Sequence, residues 1–231
     1  MHTARRGTVF FGRKLSELSD DELAAPSLLP GWTRAHVVAH VGYNARALAR
    51  LVQWANTGLE TPMYPSWQAR NEEIDYGATL PPSALRNLYE DSAIHLDGKW
   101  RDTPQEAGVQ EVKTAQGRTV PASETVWMRT REVWIHAVDL DNGASFADMP
   151  ADVLERLLAD ITGAWHNRGD DKDLRLEVLG SAGVTQLGDT AAGDPIIVTG
   201  TLPDIAAWAA GRSTHGITSN RPDTPQAPRW I

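Results

Sequence analysis

The stretch Glu124-Thr-Val-Trp-Met-Arg-Thr-Arg-Glu132-Val-Trp-Ile-His136-Ala-Val-Asp139 decides how this chain folds. At about 100° per residue on a helix, Arg129, Glu132, His136 and Asp139 fall on one narrow polar stripe. Glu132 and His136 are four apart and so lie one above the other on that face. Met128 and Ile135 flank the stripe on one side, Val126 and Val133 on the other, and Trp127, Trp134 and Val138 cover the back. A helix that is apolar nearly all round is buried, so its charged stripe must face something that satisfies it. A metal ion in an interior cavity does so; a solvent-filled groove also serves.

Working outward from that helix, residues 1–140 carry four long helical patterns. The first lies within residues 5–18 and is only weakly periodic. Ser19-Asp-Asp-Glu22 has capping-box spacing but opens a short turn. Thr33 is placed to cap a helix running to about Ala55, whose apolar set Val37, Val38, Val41, Ala45, Leu48, Leu51 and Val52 matches the helical period. A loop rich in Pro, Thr and Gly follows, from Thr57 to Trp67. Another helix is expected from Pro82 to about Trp100, with Leu85, Leu88, Tyr89 and Leu96 inward and Gly98 near its end. Val109, Val112 and Val120 around Gln116-Gly117 predict a hairpin or extended loop, and the Trp-rich helix closes the set over about 122–140.

The character changes after Asp141-Asn-Gly143. Met149 to Trp165 reads as a helix with Pro150 in its first turn and Gly169 past its end. Two short β-type runs follow, Leu174–Leu179 and Pro195–Thr199, separated by a Gly/Ala-rich segment. Leu202 to Ala210 predicts a helix stopped by Gly211, and the Pro-rich tail from Asn220 to Ile231 is expected to be extended. The architecture expected is an all-helical part over residues 1–143 followed by a small α+β part over residues 144–231.

Composition narrows the function. The chain has 231 residues, enough to bury a substantial core as one large or two small domains. Its net charge of −8 argues against nucleic acid, because phosphate binding needs a basic patch. No apolar run approaches the roughly 18 residues of a membrane span, and the N-terminal MHTARRGTVFFGRK lacks the apolar core of a secretory signal. A cytoplasmic protein with no membrane partner is expected. There are no cysteines, so disulfides, iron–sulfur clusters and a protein thiol nucleophile are excluded. Any thiol chemistry must draw its sulfur from a small molecule.

Zinc in catalytic sites has three protein ligands and an open position, with His and Glu a known mix. Glu132 and His136 offer two from one helical turn, and the helix after Thr33 offers His36 or His40 as a third. Relative to the apolar stripe of that helix, His40 falls beside Leu51 and Asn44, whereas His36 falls further toward solvent. His40 is the better inward candidate. Glu-x-x-x-His by itself is a weak signal, common on solvated faces. His166 suits a helix C-terminus, His95 a packed or surface helix position, His2 the chain end, and His215 a Gly-bounded loop open to a functional role.

Several runs together resemble one family. Leu29-Pro-Gly-Trp-Thr-Arg-Ala-His-Val-Val-Ala-His-Val-Gly-Tyr-Asn44 is similar to the second helix of mycothiol-dependent maleylpyruvate isomerases. Trp54-Ala-Asn-Thr-Gly, Thr61-Pro-Met-Tyr, Ala69-Arg-Asn-Glu-Glu-Ile and Thr114-Ala-Gln-Gly-Arg-Thr-Val-Pro-Ala-Ser-Glu124 add to the likeness. So do Arg131-Glu-Val-Trp-Ile-His-Ala-Val-Asp-Leu140, Ala209-Ala-Gly-Arg212, Gly216-Ile-Thr-Ser and Pro228-Arg-Trp. The likeness spans roughly residues 27–231, while residues 1–20 match the family's first helix poorly and look short.

The resemblance implies a DinB-like four-helix bundle followed by a small α+β domain reminiscent of sterol-carrier proteins. It places zinc ligands on His40, Glu132 and His136 and an arginine needed for activity on Arg212. It implies conversion of maleylpyruvate to fumarylpyruvate in gentisate-type aromatic degradation, using zinc and mycothiol; a monomer is expected. A thiolate adding to the cis double bond would leave a rotatable single bond and an enolate, and its later expulsion would give the trans product. Arg212 follows Gly211 at a helix end, where it can bind a substrate carboxylate or stabilise enolate charge; pairing with the helix dipole is its bland alternative. Rival readings are another mycothiol-dependent transferase on the same scaffold, a zinc hydrolase with Asp139 as the nearby base, and a non-catalytic binding module.

Overall fold

A computed structural model describes residues 1–181, 183–189 and 193–230. The chain forms two compact units, Met1–Ala144 and Ser145–Ile231. The first is mostly helical, and the second contains a sheet. No helix of the described residues is long and apolar enough to cross a membrane.

In the first unit, four long helices form a bundle: α1 (His2–Ser16), α2 (Arg34–Thr57), α4 (Pro82–Arg101) and α6 (Glu124–Asp139). α1 starts earlier than its weak periodicity predicted, and it is a full bundle member. It seats Gly7 so closely on α6 that a Cβ there would lie 2.5 Å from a Val133 methyl and 2.6 Å from the Trp134 indole nitrogen. α2 begins at Thr33, whose hydroxyl accepts from the His36 N–H while the Thr33 N–H donates to His36 Nδ1 at 3.2 Å. Histidine thus fills the position that glutamate occupies in the usual reciprocal cap. The predicted inward residues of α4, Leu85, Leu88, Tyr89 and Leu96, are all buried.

Direction follows from cross-helix contacts. α2 and α4 run parallel, since Arg46 meets Ser92 and Asn56 meets Thr103. α6 opposes α2, because Arg34 reaches Leu140 while Arg129 reaches Val41. α1 runs with α6 and against α4, pairing Arg5 with Asp97 and Leu15 with Arg86. A parallel pair needs a long crossover, and α3 (Trp67–Ala78) lies within the one joining α2 to α4. This helix was not expected from the sequence. After α4 comes a single helical turn, α5 (Gln105–Gly108). The segment with alternative readings resolves as a hairpin, β1 (Glu111–Lys113) paired antiparallel with β2 (Thr119–Pro121). Val112 and Val120 point inward, and Val109 is exposed.

In the second unit, α7 (Ala151–Arg168) ends at Gly169, whose φ of 73° is a left-handed cap. β3 (Leu174–Gly180) pairs antiparallel with β4 (Gly183–Gly188) and parallel with β5 (Ile196–Thr201), which carries β6 (Thr218–Ser219) on its far edge. α8 (Leu202–Ala209) packs on α7 through Trp208 and Trp165, rings edge-on at 6.0 Å. The two predicted strands are therefore β3 and β5. β4, inside the Gly/Ala-rich segment, and β6 are additions. Ala182, Thr190, Ala191 and Ala192 of that segment, and Ile231 of the tail, lie outside the described residues.

Candidate metal centre

Two clamps hold α2 against α6 on either side of His40. At one end Arg34 donates from Nε to Leu140 O at 2.7 Å and from Nη2 to Asp141 O at 2.6 Å. At the other, Arg129 Nη1 donates to Val41 O at 2.6 Å and to Asn44 Oδ1 at 3.3 Å. Between them His40 faces the Glu132–His136 turn. His40 Nε2 lies 3.0 Å from Glu132 Oε2, and His136 Nε2 lies 3.2 Å from the same oxygen. The two imidazoles stand edge-on with centroids 4.7 Å apart. One donor atom from each of His40, Glu132 and His136 falls within 4.8 Å of the others. No ion need be invoked to see that three donors from two helices converge on one point.

Neighbours orient these groups. Asp139, fully buried one turn beyond His136, accepts from His136 Nδ1 at 2.8 Å and so turns Nε2 toward Glu132. Arg70 on α3 places Nη2 3.3 Å from His40 Nδ1, and its guanidinium stacks over Tyr64 and Trp67. Trp32 sits edge-on to His40 at 5.5 Å. Arg70 and Tyr64 belong to runs quoted for the family resemblance, yet no role was read for them. The only signal available was Ser66, which caps α3 by accepting from the Ala69 N–H.

Electrostatics separate the two histidines. Burial pushes His40 down to about 4, against the pull of Glu132. Burial also lowers His136, but the hydrogen bonds to Asp139 and Glu132 outweigh it and hold the ring up at about 9. Burial would raise Glu132, but the bonds from His136 and His40 prevail and keep it well below the ordinary carboxylate range. Without a metal, the cluster at neutral pH is a carboxylate between one neutral and one protonated imidazole.

The remaining candidates have partners of their own or face solvent. His36 is spent on the Thr33 cap and approaches Asp75 at 4.0 Å. His166 pairs with Asp171 at 3.1 Å, and His215 is exposed in its loop. Arg212 sits just past α8, beyond Gly211 with its φ of 71°, and donates from Nη1 to Ala210 O at 2.6 Å. It therefore does make the helix-terminal contact.

No curated protein matches the chain. Two solved structures do, one described as the crystal structure of the mycothiol-dependent maleylpyruvate isomerase and the other as that of a single-histidine-to-alanine mutant of it. Each is 51% identical, with 99% of this chain and 95% of theirs covered, at TM-scores of 0.92 and 0.93. Residues 4–141 match the family model described as the mycothiol maleylpyruvate isomerase N-terminal domain, and residues 148–227 match the corresponding C-terminal domain. With both units matched and half the residues identical, this chain belongs to the mycothiol-dependent maleylpyruvate isomerase family.

Proposed function

We propose that the protein is a zinc- and mycothiol-dependent cis–trans isomerase that converts maleylpyruvate to fumarylpyruvate. The observation that carries the reading is the convergence of His40, Glu132 and His136 donors within 4.8 Å. It occurs in a chain 51% identical to a protein described as such an isomerase. The donor set suits zinc. Two imidazole nitrogens and one carboxylate oxygen supply three ligands and leave a fourth position open. Ligand atoms held about 2.1 Å from a tetrahedral ion stand about 3.4 Å apart, close to the 3.0 and 3.2 Å found here. The absence of cysteine means that sulfur must come from outside the chain, as dependence on mycothiol requires.

When bound, zinc would favour the thiolate of mycothiol, whose sulfur adds reversibly to the cis double bond and frees it to rotate. The chain's own groups have separate tasks. Asp139 fixes the tautomer and aim of His136. Trp32 and Arg70 restrict the His40 ring from two sides. One carboxylate and two neutral imidazoles leave a dication with net positive charge, which suits anionic ligands. Arg212 is assigned to bind a substrate carboxylate or to stabilise charge developing on the enolate oxygen. This reading also takes the helical unit as DinB-like, the second unit as sterol-carrier-like, and the enzyme as a cytoplasmic monomer of gentisate-type degradation.

Elemental analysis of purified protein, followed by an absorbance assay of maleylpyruvate with and without mycothiol, tests the proposal. About one zinc per chain and turnover only with the thiol are expected. Turnover without thiol would point to a hydrolase-like or other mechanism. Thiol consumption without isomerisation would point to a transferase, and the absence of both zinc and turnover to a binding module.

A further inference from the structure

Where α1 passes α4 the bundle leaves a cavity of about 330 Å³, separate from the His40–Glu132–His136 cluster on α2 and α6. Its walls are apolar: Val9 on α1 faces Ile94, Leu96 and Trp100 from α4 and its last turns. Val9 and Ile94 are 73% and 71% exposed, so two large aliphatic side chains stand uncovered at its mouth. Arg129 also lines it, although only 1% of that side chain is exposed. A guanidinium in that setting calls for a contacting anion, and this one has none: its Nη1 partners, Val41 O and Asn44 Oδ1, are neutral acceptors, and Glu132, which acts on it only through space, is bonded to His40 and His136. Nη2 has no acceptor among the described residues. A buried donor left unmatched is costly, and more so when charged.

The other charges at the cavity cancel. Arg5 is bound to Asp97 at 2.6 Å, and Arg101 to Asp102 at 3.0 Å. Arg129 alone among these cations touches no carboxylate among the described residues. We propose that this cavity binds a small monocarboxylate with an apolar body, whose carboxylate takes the Nη2 hydrogens of Arg129 while its hydrocarbon part covers Val9 and Ile94. The volume lies at the small end of ligand sites, typically about 300–1,000 Å³, which suits an acid no larger than benzoate or octanoate. A dianion would leave excess negative charge in an apolar cleft, and a neutral alcohol would leave the cation uncompensated.

Calorimetric titration of the zinc-loaded, full-length protein with benzoate and octanoate, beside benzyl alcohol and octan-1-ol, tests the site. A charge-assisted contact should make each acid bind at least tenfold more tightly than its alcohol. Val9→Glu and Ile94→Glu, at exposed positions that tolerate polar side chains, should each weaken octanoate at least tenfold. Arg129→Met should erase the preference for acid over alcohol. If that variant does not fold, the two surface variants still decide. Because zinc itself can take a carboxylate, the titration is repeated after chelation, and octanoate affinity should stay within twofold. Equal affinity for acid and alcohol overturns the proposal, as does no binding at millimolar concentration. So does binding that disappears with the zinc but survives Ile94→Glu, which would assign the acid to the metal.

Discussion

At the scale of single residues, the roles divide by what each side chain touches. Asp139 touches no proposed ligand position but holds His136 by Nδ1. Asp139→Asn removes the charge while keeping the shape. It should lower zinc affinity about 10–100-fold, as loss of such orienting partners generally does; competition with a chromophoric chelator measures it, and unchanged affinity would show that the ring is held by packing alone. Arg212→Ala should abolish turnover while leaving zinc content unchanged, whereas loss of zinc would make Arg212 structural. Helical spacing singled out His40 over His36, and the structure separates the two in the same way: His40 meets Glu132, and His36 caps its own helix. The partners of Asp139 and Arg70 were not legible. An i,i+3 pair such as His136–Asp139 is commonplace on helices, and Arg70 meets His40 across thirty residues of chain.

At the scale of elements, legibility followed burial. α2 and α6 are buried over most of their surface and α4 along one face, and all three were visible as apolar patterns of helical period. α3 buries only Ile74 and Gly77 and leaves Trp67 and Tyr76 exposed, so it has almost no periodic signature. β4 and β6 are the two edges of their sheet, with no buried residue between them. Edge strands bury little and so carry little alternation. α3 is nonetheless tightly seated: a Cβ on Gly77 would lie 2.6 Å from the Tyr43 ring and 2.7 Å from the Ala39 Cβ, both on α2. Overpacking of that kind costs about 1–3 kcal/mol, against about 1 kcal/mol gained from replacing a helical glycine. Gly77→Ala is therefore expected to destabilise the protein, read as a lower urea midpoint; a raised midpoint would mean that α3 moves aside without cost.

At the scale of the whole molecule, the buried His40–Glu132–His136 cluster links stability to pH. In protein stripped of metal by chelation, His136 is held at about 9, above its ordinary 6.5, so its contribution is complete below about 6.5 and is lost as pH rises toward 9. His40 is held at about 4, so its contribution is complete above about 6.5 and is lost as pH falls toward 4. The stripped protein should melt highest near pH 6.5, with Tm falling on both sides; a Tm that climbs steadily from pH 4 to 9 would show that other groups govern its stability. Zinc must displace the proton on His136, so adding it should raise Tm more at pH 8 than at pH 6.

The sequence by itself determined the long buried helices α2, α4, α6 and α7, where the chain changes from helical to mixed character, and that no thiol comes from the protein. These follow from periodicity, capping and composition, which act within a few residues. Only the tertiary structure decided that His40, ninety-two residues before Glu132, comes within 3.0 Å of it. It also set α1 fully into the bundle, put Arg70 against His40, and left Arg129 with an unmatched donor beside a cavity. Such contacts depend on how helices cross and which backbones approach closely, and no local pattern encodes that.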